Sequence, residues 1–409
     1  MDFMLSEEQK MIRENIRDFL EKEIAPIANE RDLRGPLSKE EVVDFTRRLK
    51  PFGFGFTPET FKQEMSLVNY FASYEELCRV WCSLAAAIGW SLSSLSIIFA
   101  PPQIRERLLP RLNVGELLGA FAFTEPNAGS DTRSIQTRAT LDGDHYVLNG
   151  TKSWITNGTI ADILVVLAIG ESGARQLFLV DKELSPFQTR ELPKMGWRAC
   201  PTGEIYLDNC HIPRECNLIP QVLNLFSGKE GGESLKEYGL DIAKVPPRII
   251  NLLGKISPLH FLFSYFRTGL AIMGVALCQT ALDASVSYAK ERIQFGKPIG
   301  RFQLVQNIIY EMLCFTEASH FLAYHSVEAI NEGDEGVRWI SSLAKGFASE
   351  AAIKVTYDAM QLHGALGISE EYPLERYYRD ARILTIGDGT TEIQKLIVGR
   401  EILGMSALG

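Results

Sequence analysis

Thr137-Arg138-Ala139-Thr140-Leu141-Asp142-Gly143-Asp144-His145-Tyr146-Val147-Leu148-Asn149-Gly150 reads as strand, turn, strand and turn. Thr137 to Leu141 and Tyr146 to Leu148 are short β-prone runs, and Asp142-Gly143-Asp144 and Asn149-Gly150 are turn signals. The same text continues in Asp162 to Ala168, Gln176 to Val180 and Glu204 to Leu207, with Asn157-Gly158 and Glu171-Ser172-Gly173 as punctuation. Such spacing predicts a sandwich or barrel beginning near Phe121 and ending near Ile212-Pro213.

The text on either side is helical. Ser6 and Gln9 form a capping box, and Ile12, Ile16, Phe19 and Leu20 mark one apolar face that Pro26 stops. Helical text continues through Val42 to Leu49, Ser66 to Arg79 and Gln103 to Leu112. Trp81 to Ala100 carries no charge and is just long enough to span a membrane. Its five serines and its isolation favour a fully buried helix. Beyond Pro213 an irregular stretch with Gly228, Gly231, Gly232, Pro246 and Pro247 gives way to helix, with Leu270, Met273, Leu277 and Leu282 opening a long apolar element. The expected fold is therefore mainly α with a central β domain: residues 1–120 helical, 121–220 β, 221–260 an atypical linker, and 261–409 helical.

With 409 residues and 46% hydrophobic side chains, two or three domains are expected. A net charge of −9 gives no basic footprint, so nucleic acid is not an expected partner. Glu7 and Glu8 carry the wrong sign for a targeting peptide, and a cytoplasmic protein is expected with no membrane attachment. The seven cysteines lack metal-type spacing and read as reduced, mostly buried thiols.

Several segments can carry chemistry. In Gly387-Asp388-Gly389-Thr390-Thr391-Glu392-Ile393-Gln394, a carboxylate between two permissive glycines can face a pocket; equally, Asp and Thr are ordinary caps for the helix that follows. Phe123-Thr124-Glu125-Pro126-Asn127-Ala128-Gly129-Ser130-Asp131 offers hydroxyls and freed amides to a polar cofactor, or simply connects helix to strand. In Lys152-Ser153-Trp154-Ile155-Thr156, strand alternation puts Trp154 and Thr156 on one face, suited to a planar ring and its polar edge. Arg292-Ile293-Gln294-Phe295-Gly296 joins a bidentate donor to an aromatic, and also suits a helix C-cap. His363 in Gln361-Leu362-His363-Gly364 reads as a satisfied buried histidine. A Gly-x-Gly-x-x-Gly βαβ turn, a P-loop, a zinc motif and a nucleophile elbow are all missing.

In this order and frame, the segments at 123–131, 152–158, 288–296 and 388–394 resemble the FAD-dependent acyl-CoA dehydrogenase family over nearly the whole chain. The resemblance implies a C-terminal four-helix bundle and a homotetramer with one FAD per subunit. It also implies an acyl-thioester substrate, most simply an acyl-CoA, and reoxidation by an electron-transferring flavoprotein. By position, Phe121, Phe123, Thr124, Trp154 and Thr156 would surround the flavin, Thr390 and Glu392 would hold its ribityl and diphosphate region, and Arg292, Phe295, Gln303, Gln361 and Gly364 would reach a neighbouring subunit's FAD. Ser130, Trp90, Phe266 and Gly389 would meet substrate, and Arg267 matches a structural arginine. Asp388 would remove the α-proton while the β-hydrogen leaves as hydride to flavin N5, with preplaced donors needed at the thioester oxygen.

The sequence departs from the family pattern in three places. Asp388 replaces the usual glutamate and reaches about 1.5 Å less far; the alternative position for that acid holds Phe266. An aspartate there also resembles nitroalkane oxidases and members that form cyclic conjugated dienes. Residues 222–263 are longer than the usual link, and Ile249, Ile250, Leu252, Leu253, Phe261 and Phe263 suit either an extra helix over the site or a surface contact. Ser264 stands near the place of an acidic residue that meets pantetheine, which opens an acyl-carrier-protein substrate. Trp90 suggests a compact or cyclic acyl group. The competing expectations are a non-dehydrogenating elimination, a flavin oxidase and a silent FAD-binding scaffold.

Overall fold

The computed structural model describes residues 6–55, 67–220, 248, 251–252 and 255–407. Its N-terminal part is helical: α1 (Glu7–Glu23), α2 (Ala25–Leu33), α3 (Lys39–Leu49), α4 (Leu67–Val80), α5 (Cys82–Trp90) and α6 (Pro102–Asn113). Pro26 is not the stop the sequence suggested. It sits in the first turn of α2, where a missing N–H costs nothing, and the chain breaks at Ile24 instead. α3 starts on a reciprocal capping box between Ser38 and Glu41.

The uncharged run is not one continuous α-helix. After α5 it tightens into a 3-10 segment, Ser91–Phe99. The serines explain this: Ser94 and Ser96 hydroxyls each donate 2.7 Å to the carbonyl three residues earlier, which suits the narrower turn. Cys82–Phe99 within this run and Leu259–Glu291 further along the chain are long and apolar enough to cross a membrane, but 67% and 78% of those windows lie buried inside the protein.

The middle strands are β1 (Gly119–Ala122), β2 (Arg138–Asp142), β3 (His145–Thr156), β4 (Ile163–Ile169), β5 (Arg175–Asp181), β6 (Gln188–Glu191) and β7 (Thr202–Pro213). They form one curled seven-stranded sheet in the order β1-β4-β2-β3-β7-β6, with β5 also on β4. All seven residues of β4 are buried, as a strand covered on both faces requires. Asp142-Gly143-Asp144 turns β2 into β3, with Asp142 as the last residue of β2, and Glu171-Ser172-Gly173 falls between β4 and β5, as read. Asn149-Gly150 does not: β3 runs through it with a register shift beside Gly150, where an added Cβ would lie 2.4 Å from the Thr137 hydroxyl oxygen.

The C-terminal part comprises α7 (Pro258–Glu291), a hairpin of β8 (Ile293–Gln294) and β9 (Lys297–Pro298), then α8 (Gln303–Glu332), α9 (Val337–His363), α10 (Leu374–Leu384) and α11 (Thr391–Leu403). Of the long link, residues 221–247, 249–250 and 253–254 lie outside the described residues, so the suggested extra helix over the site does too. What is described of it divides. Leu252 and Phe261 pack with Ala329, Ile330, Val337 and Ile340, whereas Phe263 belongs to α7 and turns toward Phe123.

Buried polar groups tie the layers together. Asp32 of α2 accepts from Trp81 Nε1 at 3.0 Å and Ser83 Oγ at 2.5 Å, and Arg379 of α10 lies 3.7 Å from it. Asp380 accepts the Trp197 amide at 2.6 Å, bringing the β6–β7 connection onto α10. All seven thiols are free, six of them buried.

The two longest helices that flank the site approach each other through Gly274 of α7. A Cβ at this position would lie 2.8 Å from the Ala348 carbonyl oxygen of α9, a backbone atom with little freedom to retreat. Gly274→Ala is expected to lower unfolding stability by about 1–3 kcal/mol, read by denaturant titration; an unchanged midpoint would show that the helices can separate freely.

Candidate active site

Asp388 sits in the turn between α10 and α11. That turn closes through Gly387 N–H to Ile383 O at 3.0 Å and Thr391 N–H to Thr385 O at 3.0 Å. Asp388 itself is left-handed, φ 50°, and Gly389 follows at 94°. A non-glycine residue held there costs about 1–3 kcal/mol, a conformation kept only where the surroundings impose it. Three side-chain contacts do so: Gln394 Nε2 donates to Asp388 O at 3.1 Å and Gly389 O at 2.9 Å, and Lys345 Nζ donates to Gly389 O at 2.7 Å. Thr390 is the N-cap of α11, accepting the Ile393 amide at 3.4 Å.

This turn aims the carboxylate inward. Its Oδ2 is shielded from water and bonds to nothing among the described residues. Burial pushes the Asp388 carboxyl up to about 6, against the pull of Lys345 and then Arg267. Burial in turn draws Lys345 down to about 8 and Arg267 to about 10, both opposed chiefly by Asp388. Neither cation makes an ion pair with Asp388 within contact distance, and Arg267 Nε is itself buried without a partner among the described residues. One carboxylate is therefore within electrostatic reach of two buried cations without an ion pair to either.

Arg267 links this group to an aromatic enclosure. Its guanidinium lies 5.7 Å from the Phe263 ring centre, and Phe263 meets Phe123 edge-on at 5.9 Å. Phe266 stacks on Trp90 at 5.6 Å and meets Phe121 at 5.1 Å, while Trp90 also meets Trp197 at 5.9 Å. Trp90, Phe121, Phe123 and Phe266, singled out from sequence, thus come together on α5, the β1 region and α7. Trp197 was given no role, since it lies in a connection that carries no motif, and Phe263, read as part of an extra helix over the site or a surface contact, instead lies near the start of α7 against Phe123.

The Phe123-Thr124 segment is clamped from beneath. Buried Glu125 accepts Gln136 N–H, Thr137 N–H, the Thr137 hydroxyl and Lys152 Nζ at 2.6–3.0 Å. Lys152 also donates to Phe123 O at 3.1 Å, and the Ser153 amide to Thr124 O at 2.9 Å. These contacts hold Glu125 below the usual carboxylate range despite its burial. Both residues lie inside quoted motifs, but their pairing is invisible until β1 and β3 meet.

β3 bulges between Lys152 and Ile155, and Trp154 takes φ 61°, so simple strand alternation does not place its ring. Trp154 is 57% exposed, and Thr124 and Thr156 are half-buried. Asn157 Oδ1, just beyond β3, and Thr391 Oγ1 and Gln394 Oε1, in the first turn of α11, are shielded from water and without partners among the described residues. Buried polar atoms left unsatisfied in this way fit a hydrogen-bonding group supplied from outside the chain. Ser130 and Glu392 are exposed.

The remaining predicted residues lie together at another end of the helices. Arg292 caps α7, Phe295 tips the hairpin 92% exposed with φ 49°, Gln303 opens α8, and Gln361 and Gly364 end α9 in exposed positions. His363 beneath them is buried, bonded to Ala359 O at 2.8 Å and stacked on Tyr288, as read. No group of three or more potential metal ligands occurs among the described residues.

Family models match the chain in three consecutive pieces: the acyl-CoA dehydrogenase N-terminal domain over 6–116, the middle domain over 120–210 and the C-terminal domain over 259–403. A glutaryl-CoA dehydrogenase of Desulfococcus multivorans is 34% identical, covering 99% of both chains. A cyclohex-1-ene-1-carbonyl-CoA dehydrogenase of Geobacter metallireducens is 35% identical over 98% of this chain and 99% of its own. Among solved structures, a glutaryl-CoA dehydrogenase of Mycobacterium smegmatis in complex with FADH2 superposes with a TM-score of 0.82 at 25% identity, covering 100% and 98%. A carboxylate with one shielded oxygen, an aromatic enclosure and a helical, β, helical order are thus found in a chain that belongs to the acyl-CoA dehydrogenase family.

Proposed function

We propose that this chain is an FAD-dependent acyl-thioester dehydrogenase in which Asp388 takes the α-proton of a compact, uncharged acyl group. The reading rests on the buried, unpartnered Asp388 oxygen beside the aromatic enclosure. A carboxylate raised to about 6 is ionised at neutral pH yet basic enough to accept a proton, as a general base requires. Phe121, Phe123, Thr124, Trp154, Thr156 and Thr390 would hold the FAD, with the unsatisfied Thr391 and Gln394 atoms as further partners and Glu392 at the exposed start of α11. When bound, that group accepts the β-hydrogen as hydride.

The acyl end would lie against Trp90, Phe121 and Phe266. From Trp81 to Ala100 the wall carries no charge, so a terminal carboxylate finds no counter-ion there. Flat apolar rings favour a planar or cyclic group instead. A relative named for a cyclohexene-carbonyl thioester agrees with this chemistry, and Asp388 with the diene-forming branch. Gly389 and Ser130 would meet the thioester. Ser264 gives its hydroxyl to His260 O at 2.9 Å, leaving pantetheine without the acidic contact usual in the family. An acyl-CoA remains the simplest carrier, and an acyl-carrier protein is its alternative.

Arg292, Phe295, Gln303, Gln361 and Gly364 would act on the FAD of a neighbouring subunit in a homotetramer, and an electron-transferring flavoprotein would reoxidise it. Exposed Phe295, Leu304, Tyr310 and Leu313 support burial of this face by a second copy. Phe295→Asp should lower the assembled mass and release FAD together, measured by light scattering with flavin absorbance; unchanged mass and retention would remove the hairpin from the interface.

Purified protein should be yellow and bleach without oxygen when given cyclic or short neutral acyl-CoA, but not glutaryl-CoA. Asp388→Asn should keep FAD and lose bleaching by about a thousandfold or more. Bleaching by that variant at the parental rate rules Asp388 out as base. Peroxide release, or product without flavin reduction, would favour an oxidase or elimination. The parental rate should fall with acidity below about pH 6, where the base becomes protonated.

Stability has the opposite sense. A raised folded-state acid binds its proton more tightly folded than unfolded, so its contribution declines as pH rises from about 4 through 6. Asp388→Asn should therefore be the more stable protein at about pH 8, by up to about 3 kcal/mol, and the gain should vanish near pH 4. Denaturant titration across this range reads it; a gain independent of pH contradicts the burial argument.

A further inference from the structure

Lys345 of α9 is fully buried, and its one hydrogen bond among the described residues goes to Gly389 O at 2.7 Å. An ammonium carries three donors, and burying it without a touching carboxylate is costly. A methionine could fill the same volume without that cost. The charge must therefore be sought in what it does at the Asp388 turn.

Two features of the turn depend on it. The carbonyls of Asp388 and Gly389 are gripped by Gln394 from one element and Lys345 from another, fixing two successive left-handed residues. The charged groups around the carboxylate are Lys345 and, from α7, Arg267. Behind them stand Glu392 of α11 and Glu350 and Arg338 of α9. From α10, Arg382 is engaged with the Thr385 hydroxyl at 2.6 Å.

We propose that Lys345 is the positioning residue for Asp388: its ammonium holds the Gly389 carbonyl, fixing the turn that carries the carboxylate, and with Arg267 supplies the positive charge that keeps this carboxylate ionised in a dry site. The assignment rests on Asp388 being the base. When the α-carbon gives up its proton, the C–H electron pair stays on the thioester and the new O–H bond neutralises Asp388. The negative charge moves off the carboxylate, and the two cations remain beside the site to face it. Burial raises the Asp388 carboxyl, and Lys345 is the larger of the two influences opposing this.

The test compares FAD-bound parent, Lys345→Met and Lys345→Gln. Infrared titration of the Asp388 carboxyl, isolated by subtracting the Asp388→Asn spectrum, reads its midpoint directly. Both Lys345 variants should raise that midpoint by about one pH unit or more. The acid limb of thioester bleaching should move by the same amount. At alkaline pH, where the carboxylate is ionised in all three, Lys345→Met should still bleach about tenfold or more slowly because the turn is loosened. Lys345→Gln, which keeps a donor, should lose less. If Lys345→Met does not retain FAD, Lys345→Gln alone carries the midpoint measurement. An unmoved midpoint, with or without a uniform fall in rate, overturns the proposal and leaves Lys345 as packing. Parental bleaching by Asp388→Asn would instead overturn the base assignment, so the two failures are distinguishable.

Discussion

The near-contact of two backbones at Gly274 and Ala348 sets the geometry of the whole catalytic half. α7 and α9 can lie this close only because position 274 has no side chain. Arg267 is seven residues before Gly274 and Lys345 three before Ala348, so one crossing determines where both cations stand. α11 then packs on α9, with Gly346 bringing the Gln394 side chain within 3.5 Å of where a Cβ would be. The Asp388 turn is thereby brought against Lys345, which bonds the Gly389 carbonyl, and within the influence of Arg267.

That arrangement resolves a physical conflict. A carboxylate in water is too weak a base to take an α-proton, and one buried alone holds its own proton too tightly. Burial raises Asp388, while Lys345 and Arg267 act across a distance that favours charge without quenching the oxygen in an ion pair. The contrast with Glu125 is instructive. There the carboxylate is in contact with Lys152 and three further donors, is held below its usual range, and serves to fasten β1 to β3.

Much of this order was legible in the chain. Turn residues such as Gly143 and Gly173 and the uncharged run at 81–100 give the helical, β, helical sequence from local chemistry alone. Trp90, Phe121, Phe123 and Phe266 were identified from position, and the fold brings them together. What could not be read depends on contacts between distant segments. Asn149-Gly150 looks like a turn until β3 must pass Thr137. Pro26 looks like a stop until a second helix begins at Ala25. Trp154 loses its expected alternation to a bulge. Lys345 lies in an ordinary amphipathic pattern, and nothing near it in sequence reveals that its partner is 44 residues away.

The account stands on Asp388 as the group that removes the α-proton. An arylacetyl thioester, which has α-hydrogens but no transferable β-hydride, isolates this step, and loss of its α-proton signal by NMR in heavy water measures it. Holoprotein should exchange these protons rapidly, and Asp388→Asn should leave them at the rate seen without protein. Equal exchange by both would contradict the account and place the base elsewhere.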